Sequence, residues 1–237
     1  MKIVTAIPVK HTPDHVAPEI LEQEDPDTLY IENMSDVPSL CSKLNTALEW
    51  AKEKGADWLI FRHTDTTIET PELIEPQLEL AYRNGVRVCG VIGSLIADNL
   101  SWWMNPRPIC TWGGIMQGYS NGEVHPMVDQ PGFNANLALI DGCFMVIHKD
   151  MFDVKVREYH NHMYDSFISL AALALGYKVA CIDVRVRHMS EGKFDPAEME
   201  KSKSACKEDW KQWVDFAVLP GHSQFKEGVR EWLTSSL

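Results

Sequence analysis

Apolar positions along this chain switch repeatedly between short unbroken runs and helical spacing, so the first half reads as alternating strand and helix. Lys2 to Val9 is β-rich and ends around Pro8, as expected of a first, central strand that opens into a Pro-, Asp- and Glu-rich loop over residues 10–27. Thr28-Leu29-Tyr30-Ile31 is a second short strand, with Glu32 at its C-terminal end. Ser39 to Glu53 sets Leu40, Leu44, Ala47, Leu48 and Ala51 at helical spacing, and Gly55 is placed to stop that helix. A third strand, Trp58 to Arg62, precedes a helix from Pro71 to Arg83, for which Thr70 can cap and Pro71 suits the first turn. Val86 to Ile92 is the next strand, and the alternation is that of a nucleotide-binding sheet.

Residues 94–136 break this rhythm. They hold Trp102, Trp103 and Trp112, the pairs Gly113-Gly114 and Asn121-Gly122, and several prolines, a composition expected of a binding loop or lid, the alternative being plain surface loop. Regular structure resumes with a strand from Leu137 to His148, interrupted at Asp141-Gly142. A helix from Asp165 to Leu175 then ends at Gly176, and a strand from Tyr177 to Val186 runs into Arg187-His188. Pro196 to about Phe216 carries Trp210, Trp213 and Phe216 at spacings of three, which predicts an amphipathic C-terminal helix.

Composition narrows the class. A chain of 237 residues with 45% hydrophobic content supports one substantial core, so a single domain is expected. A net charge of -12 argues against a general polyanion-binding face, though a local basic channel is still allowed. The six cysteines form no C-x-x-C pair and mostly sit in apolar runs, which suits reduced core thiols and a cytoplasmic setting. The hydrophobic run at the N-terminus is too short for a signal peptide, and no stretch approaches membrane-spanning length.

The candidate chemistry lies where strands end. Trp58 to Phe61 gives way abruptly to His63-Thr64-Asp65, an imidazole and a carboxylate two residues apart on extended chain, which face one side and can share a divalent cation. A polar turn capped by His63 is the bland alternative. His188, at the end of a later strand, can join Asp65 as a ligand to Mg²⁺ or Mn²⁺ or can be an ordinary surface histidine. Asp165 opens a helix, as an N-cap or as a general base for an acceptor hydroxyl. Asp141, set inside an apolar strand, is costly to bury without partners, and Gly142 beside it suggests a bulge or a close backbone approach to ligand.

Taken in order, these features resemble family 2-like glycosyltransferases of the GT-A fold, in particular the branch grouped with the StrF-type domain of streptomycin biosynthesis. The features that carry the resemblance are His63 to Asp65, Gly90-Val91-Ile92-Gly93, the Trp-containing middle, Asp141-Gly142-Cys143-Phe144-Met145, Tyr164-Asp165-Ser166-Phe167, Gly176-Tyr177-Lys178-Val179 and His188-Met189-Ser190-Glu191-Gly192. They span roughly residues 2–194. The resemblance implies an α/β fold with a mixed, mostly parallel, Rossmann-like sheet flanked by helices. Residues 1–93 would be its nucleotide-binding half, 94–136 its lid, 137–194 the acceptor and metal half, and 195–237 a C-terminal helical segment.

It further implies a metal-dependent transferase with a nucleotide-sugar donor, UDP-linked, and an acceptor hydroxyl on a glycan, a small metabolite or a modified DNA base. Asp65 would be the metal-coordinating aspartate of a DxD-type motif with His63 in place of its first acid, and His188 would complete the shell around Mn²⁺ or Mg²⁺. Asp165 matches the base of inverting members, although Ser166 and Phe167 stand where a second acid is often found. Ala6, Ile7, Pro8 and Glu32 would line the nucleoside pocket, with Lys43 and Asn45 near ribose or diphosphate and Thr64 in the same binding set. Asp141 would meet donor sugar or acceptor. A noncatalytic module that binds nucleotide sugar or sugar is the rival reading, with Asp165 only a helix cap and His63 only a loop histidine.

Overall fold

The computed structural model describes residues 1–9, 28–32, 39–105, 107–119, 122–159, 162–189, 195–213 and 228–234. The expected loop at 10–27, the motif end Ser190 to Gly192 and Phe216 lie outside the described residues. Strand β1 (Ile3–Pro8), expected as central, lies one strand in from the edge of the sheet: β2 (Thr28–Ile31) pairs with one side of it and β3 (Trp58–Arg62) with the other, all parallel. Their C-terminal ends therefore share one edge of the sheet. Helix α1 (Leu40–Glu53) packs on these strands through Cys41, Leu44, Ala47, Leu48 and Ala51, and Ser39 caps it in a reciprocal box with Ser42. Every residue of β3 is buried, as an unbroken apolar run in a sheet covered on both faces requires.

After β3 the chain leaves for a second sheet, where β4 (Thr66–Ile68) lies, and returns through a 3₁₀ turn at Pro71–Leu73 into helix α2 (Ile74–Arg83). The helix expected from Pro71 thus begins three residues late. Thr70 does not cap it through its side chain, because its Oγ1 accepts a hydrogen bond from the Arg185 amide at 2.9 Å. The strand expected over 86–92 is two: β5 (Val86–Gly90) in the large sheet and β6 (Ile92–Ser94) in the small one, with Val91 at the crossing.

The stretch 94–136, expected as a loop, carries regular strands as well as turns. β7 (Thr111–Gly118) and β8 (Val124–Gln130) form an antiparallel hairpin, and β9 (Asn134–Leu137) joins the large sheet. Three glycines hide β7 from propensity reasoning, yet its burial alternates strictly from Thr111 to Gln117. Gly113 has no substitute there: its φ is +91°, and a Cβ would lie 2.1 Å from the Val91 carbonyl oxygen.

The broken strand expected over 137–148 divides between the sheets. β10 (Leu139–Ile140) is in the small sheet and β11 (Phe144–His148) runs antiparallel between β3 and β5 in the large one, with Asp141-Gly142 at the crossing. Helix α3 (Tyr164–Ala174) follows, and Gly176, at φ +83°, turns the chain into β12 (Lys178–Cys181). β13 (Val186–His188) is again in the small sheet, so the strand expected over 177–186 is also split.

The large sheet has the order β2-β1-β3-β11-β5-β12-β9, in which β9 and β11 oppose the rest; the small sheet has the order β10-β6-β7-β13-β4, and β8 pairs with β7 outside that order. Helix α4 (Pro196–Trp210), capped by Asp195, and the short α5 (Val229–Thr234) close the fold around Phe167, Trp210 and Trp232. One hydrophobic core runs beneath both sheets. Cys41, Cys89, Cys143, Cys181 and Cys206 are buried free thiols, and Cys110 is a partly exposed one.

Candidate metal centre and carboxylate pair

His63, Thr64 and Asp65 form the crossing from β3 to β4. Four bonds hold this turn: the His63 amide donates to Cys143 O at 3.0 Å, the Thr66 amide to His63 O at 3.2 Å, the Met189 amide to Asp65 O at 2.8 Å, and buried Arg62 donates from Nη1 to Thr66 O. His188 ends β13, whose register sets it opposite Thr66 on β4 and beside Gln117 on β7. One potential ligand atom from each of His63, Asp65 and His188 lies within 4.8 Å of the others. His188 Nε2 is 3.4 Å from Asp65 Oδ1, and the two imidazole centroids are 5.7 Å apart. Two imidazoles and a carboxylate at this spacing suit a divalent cation of borderline hardness.

Burial and charge shift the two imidazoles in opposite directions. Burial holds the His63 imidazole below its ordinary pKa, against a smaller upward pull from Asp65, so it is neutral at pH 7 and has a lone pair to give. Burial also pulls His188 down, but its hydrogen bond to Asp65 and that carboxylate's charge outweigh the loss and leave it above the usual value. Each histidine also has a side-chain partner: His63 Nε2 lies 2.7 Å from Tyr164 Oη, and His188 Nδ1 lies 3.3 Å from Gln117 Oε1. Such partners orient ligating imidazoles.

Asp141 and Asp165 meet at the crossing between β10 and β11. The Cys143 amide donates to Asp141 Oδ1 at 2.7 Å, and the Trp102 indole N–H donates to Oδ2, so the carboxylate that sequence placed in an apolar strand is partnered at both oxygens. Asp165 lies in the first turn of α3. Its Oδ2 accepts from the Gly142 amide at 3.1 Å and its Oδ1 from the Ser166 amide at 2.8 Å. Burial and the nearby Asp141 charge push its pKa up to about 7, more than the three amide bonds pull it down. It is therefore no simple helix cap: residue 163 holds the N-cap position, with no side-chain bond.

Ile7, Pro8 and Glu32 sit at the C-terminal ends of β1 and β2, the sheet edge at which His63 leaves β3. Ala6 and Ile7 are fully buried, and Ile7 packs with Val9 and Tyr30. Thr64 is partly buried between the two ligand candidates. Lys43 is 3% exposed and donates to Val9 O at 2.6 Å, which holds the chain where β1 ends. Asn45 is placed to brace the fold: its Nδ2 donates to Val156 O and its Oδ1 accepts from Val156 N, both at 2.8 Å. Sequence reasoning passed over Tyr164, Gln117 and Trp102 as partners. Of these, Trp102 carries a signal as a tryptophan in a glycine-rich insertion and Tyr164 as the first residue of the Tyr164-Asp165-Ser166-Phe167 motif, while Gln117 carries none.

A197 from STIV is similar in structure, with a TM-score of 0.51 over 82% of this chain and 87% of that one, at 12% sequence identity. The fold is mixed α/β, with one large mixed sheet flanked by helices. TarS 1-349 of S. aureus gives a TM-score of 0.47 over 80% of this chain and 60% of that one, at 11% identity. No protein-family profile matches the sequence, and no curated protein matches it. At such identities the likeness is one of fold, and function has to be argued from the site. Among the described residues no helix is long and apolar enough to cross a membrane.

Proposed function

We propose that this chain is a metal-dependent glycosyltransferase, a hexosyl- or pentosyltransferase that moves a sugar from a UDP-linked donor to an acceptor hydroxyl on a glycan, a small metabolite or a modified base. The observation that carries this reading is that His63, Asp65 and His188 converge within 4.8 Å at the end of β3. Of Mn²⁺ and Mg²⁺, the two-imidazole, one-carboxylate donor set fits Mn²⁺ better, and such an ion when bound supplies positive charge against a departing diphosphate.

The protein groups do the rest. Ile7, Pro8, Glu32, Lys43 and Thr64 edge the nucleotide side, and residues 94–136 cover the donor. Asp165, with a pKa of about 7, is half ionised at neutral pH and takes the proton of the acceptor hydroxyl. Asp141 keeps that base weakly acidic through its charge and stands beside the transferred sugar.

The test is a donor-binding and transfer assay with Mn²⁺ across several UDP-sugars. Wild type should turn over only with metal, Asp65→Ala should lose binding and turnover, and Asp165→Asn should bind donor without turning it over. Donor binding with no turnover in any form would make the chain a noncatalytic binding module. A wild type that neither binds nor turns over any donor in a metal-dependent way would end the reading.

A further inference from the structure

Tyr164 is the first residue of α3, and its ring is 4% exposed, packed edge-on to Phe61 at 6.0 Å. Its hydroxyl reaches His63 Nε2 at 2.7 Å. Two local features build this contact. Met163 enters the helix in the left-handed region, with φ 64°, an uncommon conformation for a residue bearing a long side chain. Residue 142 is a glycine: a Cβ there would lie 2.1 Å from Tyr164 Oη and 2.5 Å from Cζ, so any side chain would displace the hydroxyl. The neighbouring residue, Asp165, accepts from the Gly142 amide, so the first turn of α3 touches both the metal-ligand cluster and the carboxylate pair.

We propose that Tyr164 is a positioning residue for the metal site: its hydroxyl holds Nε2 of His63, so that Nδ1 is the nitrogen presented to a divalent cation. The inference rests on the metal-dependent reading above. A neutral imidazole carries one N–H, and the cation takes the other nitrogen. Ligation through Nδ1 therefore requires the proton on Nε2, where Tyr164 Oη accepts it. The partner fixes the tautomer and the ring plane before metal arrives, as outer partners of ligating histidines generally do. Tyr164 acts through His63 and has no part in bond making.

Calorimetric titration with Mn²⁺ alone tests this on wild type, Tyr164→Phe, His63→Ala and the double variant. Phenylalanine keeps the ring packing and removes only the hydroxyl. Tyr164→Phe should bind Mn²⁺ about 10- to 100-fold more weakly. In the His63→Ala background the same change should have no further effect, a result that a purely structural tyrosine would not give. Long-range ¹H–¹⁵N spectra of the Zn²⁺-loaded wild type should show the His63 proton on Nε2. Gly142→Ala, which displaces the hydroxyl and keeps the tyrosine, should weaken Mn²⁺ to a similar degree, and it serves if Tyr164→Phe fails to fold. Binding by Tyr164→Phe as tight as wild type, or tighter, overturns the proposal, because the hydroxyl is then idle or competes with the ion. A wild type that takes up no Mn²⁺ sinks the metal reading itself, and that failure shows before any variant is made.

Discussion

The Trp102 indole N–H donates to Oδ2 of Asp141, joining the middle of the 94–136 segment to the crossing between β10 and β11. Leu100, two residues earlier, accepts at its carbonyl oxygen a hydrogen bond from the hydroxyl of Ser166, next to Asp165. Further along, Asn105 donates to Ser94 Oγ at 3.0 Å and to Ile96 O at 3.1 Å. The segment is thus fastened to both carboxylate-bearing pieces of chain.

Replacing Trp102 by Phe removes the indole donor to Asp141 and leaves the Cys143 amide, in a setting where the ring is 3% exposed. Loss of a buried hydrogen bond to a charged group costs on the order of 1–3 kcal/mol, and the smaller ring adds to it. Urea unfolding of Trp102→Phe should show a destabilisation at least that large; a change within experimental error would mean that Asp141 does not depend on the indole.

Asp165 has a pKa of about 7 in the folded chain against an ordinary 3.8. Between those values the folded protein binds more protons than the unfolded one, so this group makes stability fall as pH rises. His188, whose pKa is also raised, lends stability below its ordinary 6.5 that is lost as pH climbs through the folded value, in the same direction. Asp165→Asn removes only the first contribution. Thermal midpoints at about pH 5 and about pH 8 should differ less in the variant than in wild type. Equal differences would show that Asp165 titrates normally. Transfer by the wild type should rise with pH and reach half its plateau near 7.

Gln117 commits its Nε2 to the Gly118 carbonyl at 2.9 Å and turns Oε1 to His188 Nδ1. In the neutral ring this places the proton on Nδ1 and leaves Nε2, the nitrogen 3.4 Å from Asp65, for metal. Gln117→Leu should weaken Mn²⁺ by about tenfold or more in calorimetry. An unchanged dissociation constant would assign the glutamine a packing role only.

Much of the fold is legible in local pattern. The apolar run of β3, the helical spacing of α1 and the turn at Gly176 each depend on residues a few positions apart, and burial on one face or two writes that period into the chain. The errors share a cause. Strands expected as continuous at 86–92 and 177–186 are cut where the chain steps from the large sheet to the small one, and β7 was obscured by its glycines. Neither the step nor the close approach of Gly113 to Val91 leaves a mark in hydrophobic period, since both are set by which distant strand lies alongside.

The candidate site divides along the same line. Strand ends rich in His and Asp point to His63, Asp65 and His188 because an apolar run that stops at ionisable groups has to deliver them to an edge. Their meeting within 4.8 Å depends on β13 pairing with both β4 and β7, a hydrogen-bond register between elements far apart in the chain. The same pairing selects Gln117 for His188, the entry of α3 selects Tyr164 for His63, and the fastening of 94–136 selects Trp102 for Asp141. Sequence alone determined which residues could do chemistry and on which elements they ride. Only the tertiary structure decided their partners, because a side chain's protonation and orientation answer to whatever packing brings within hydrogen-bonding distance.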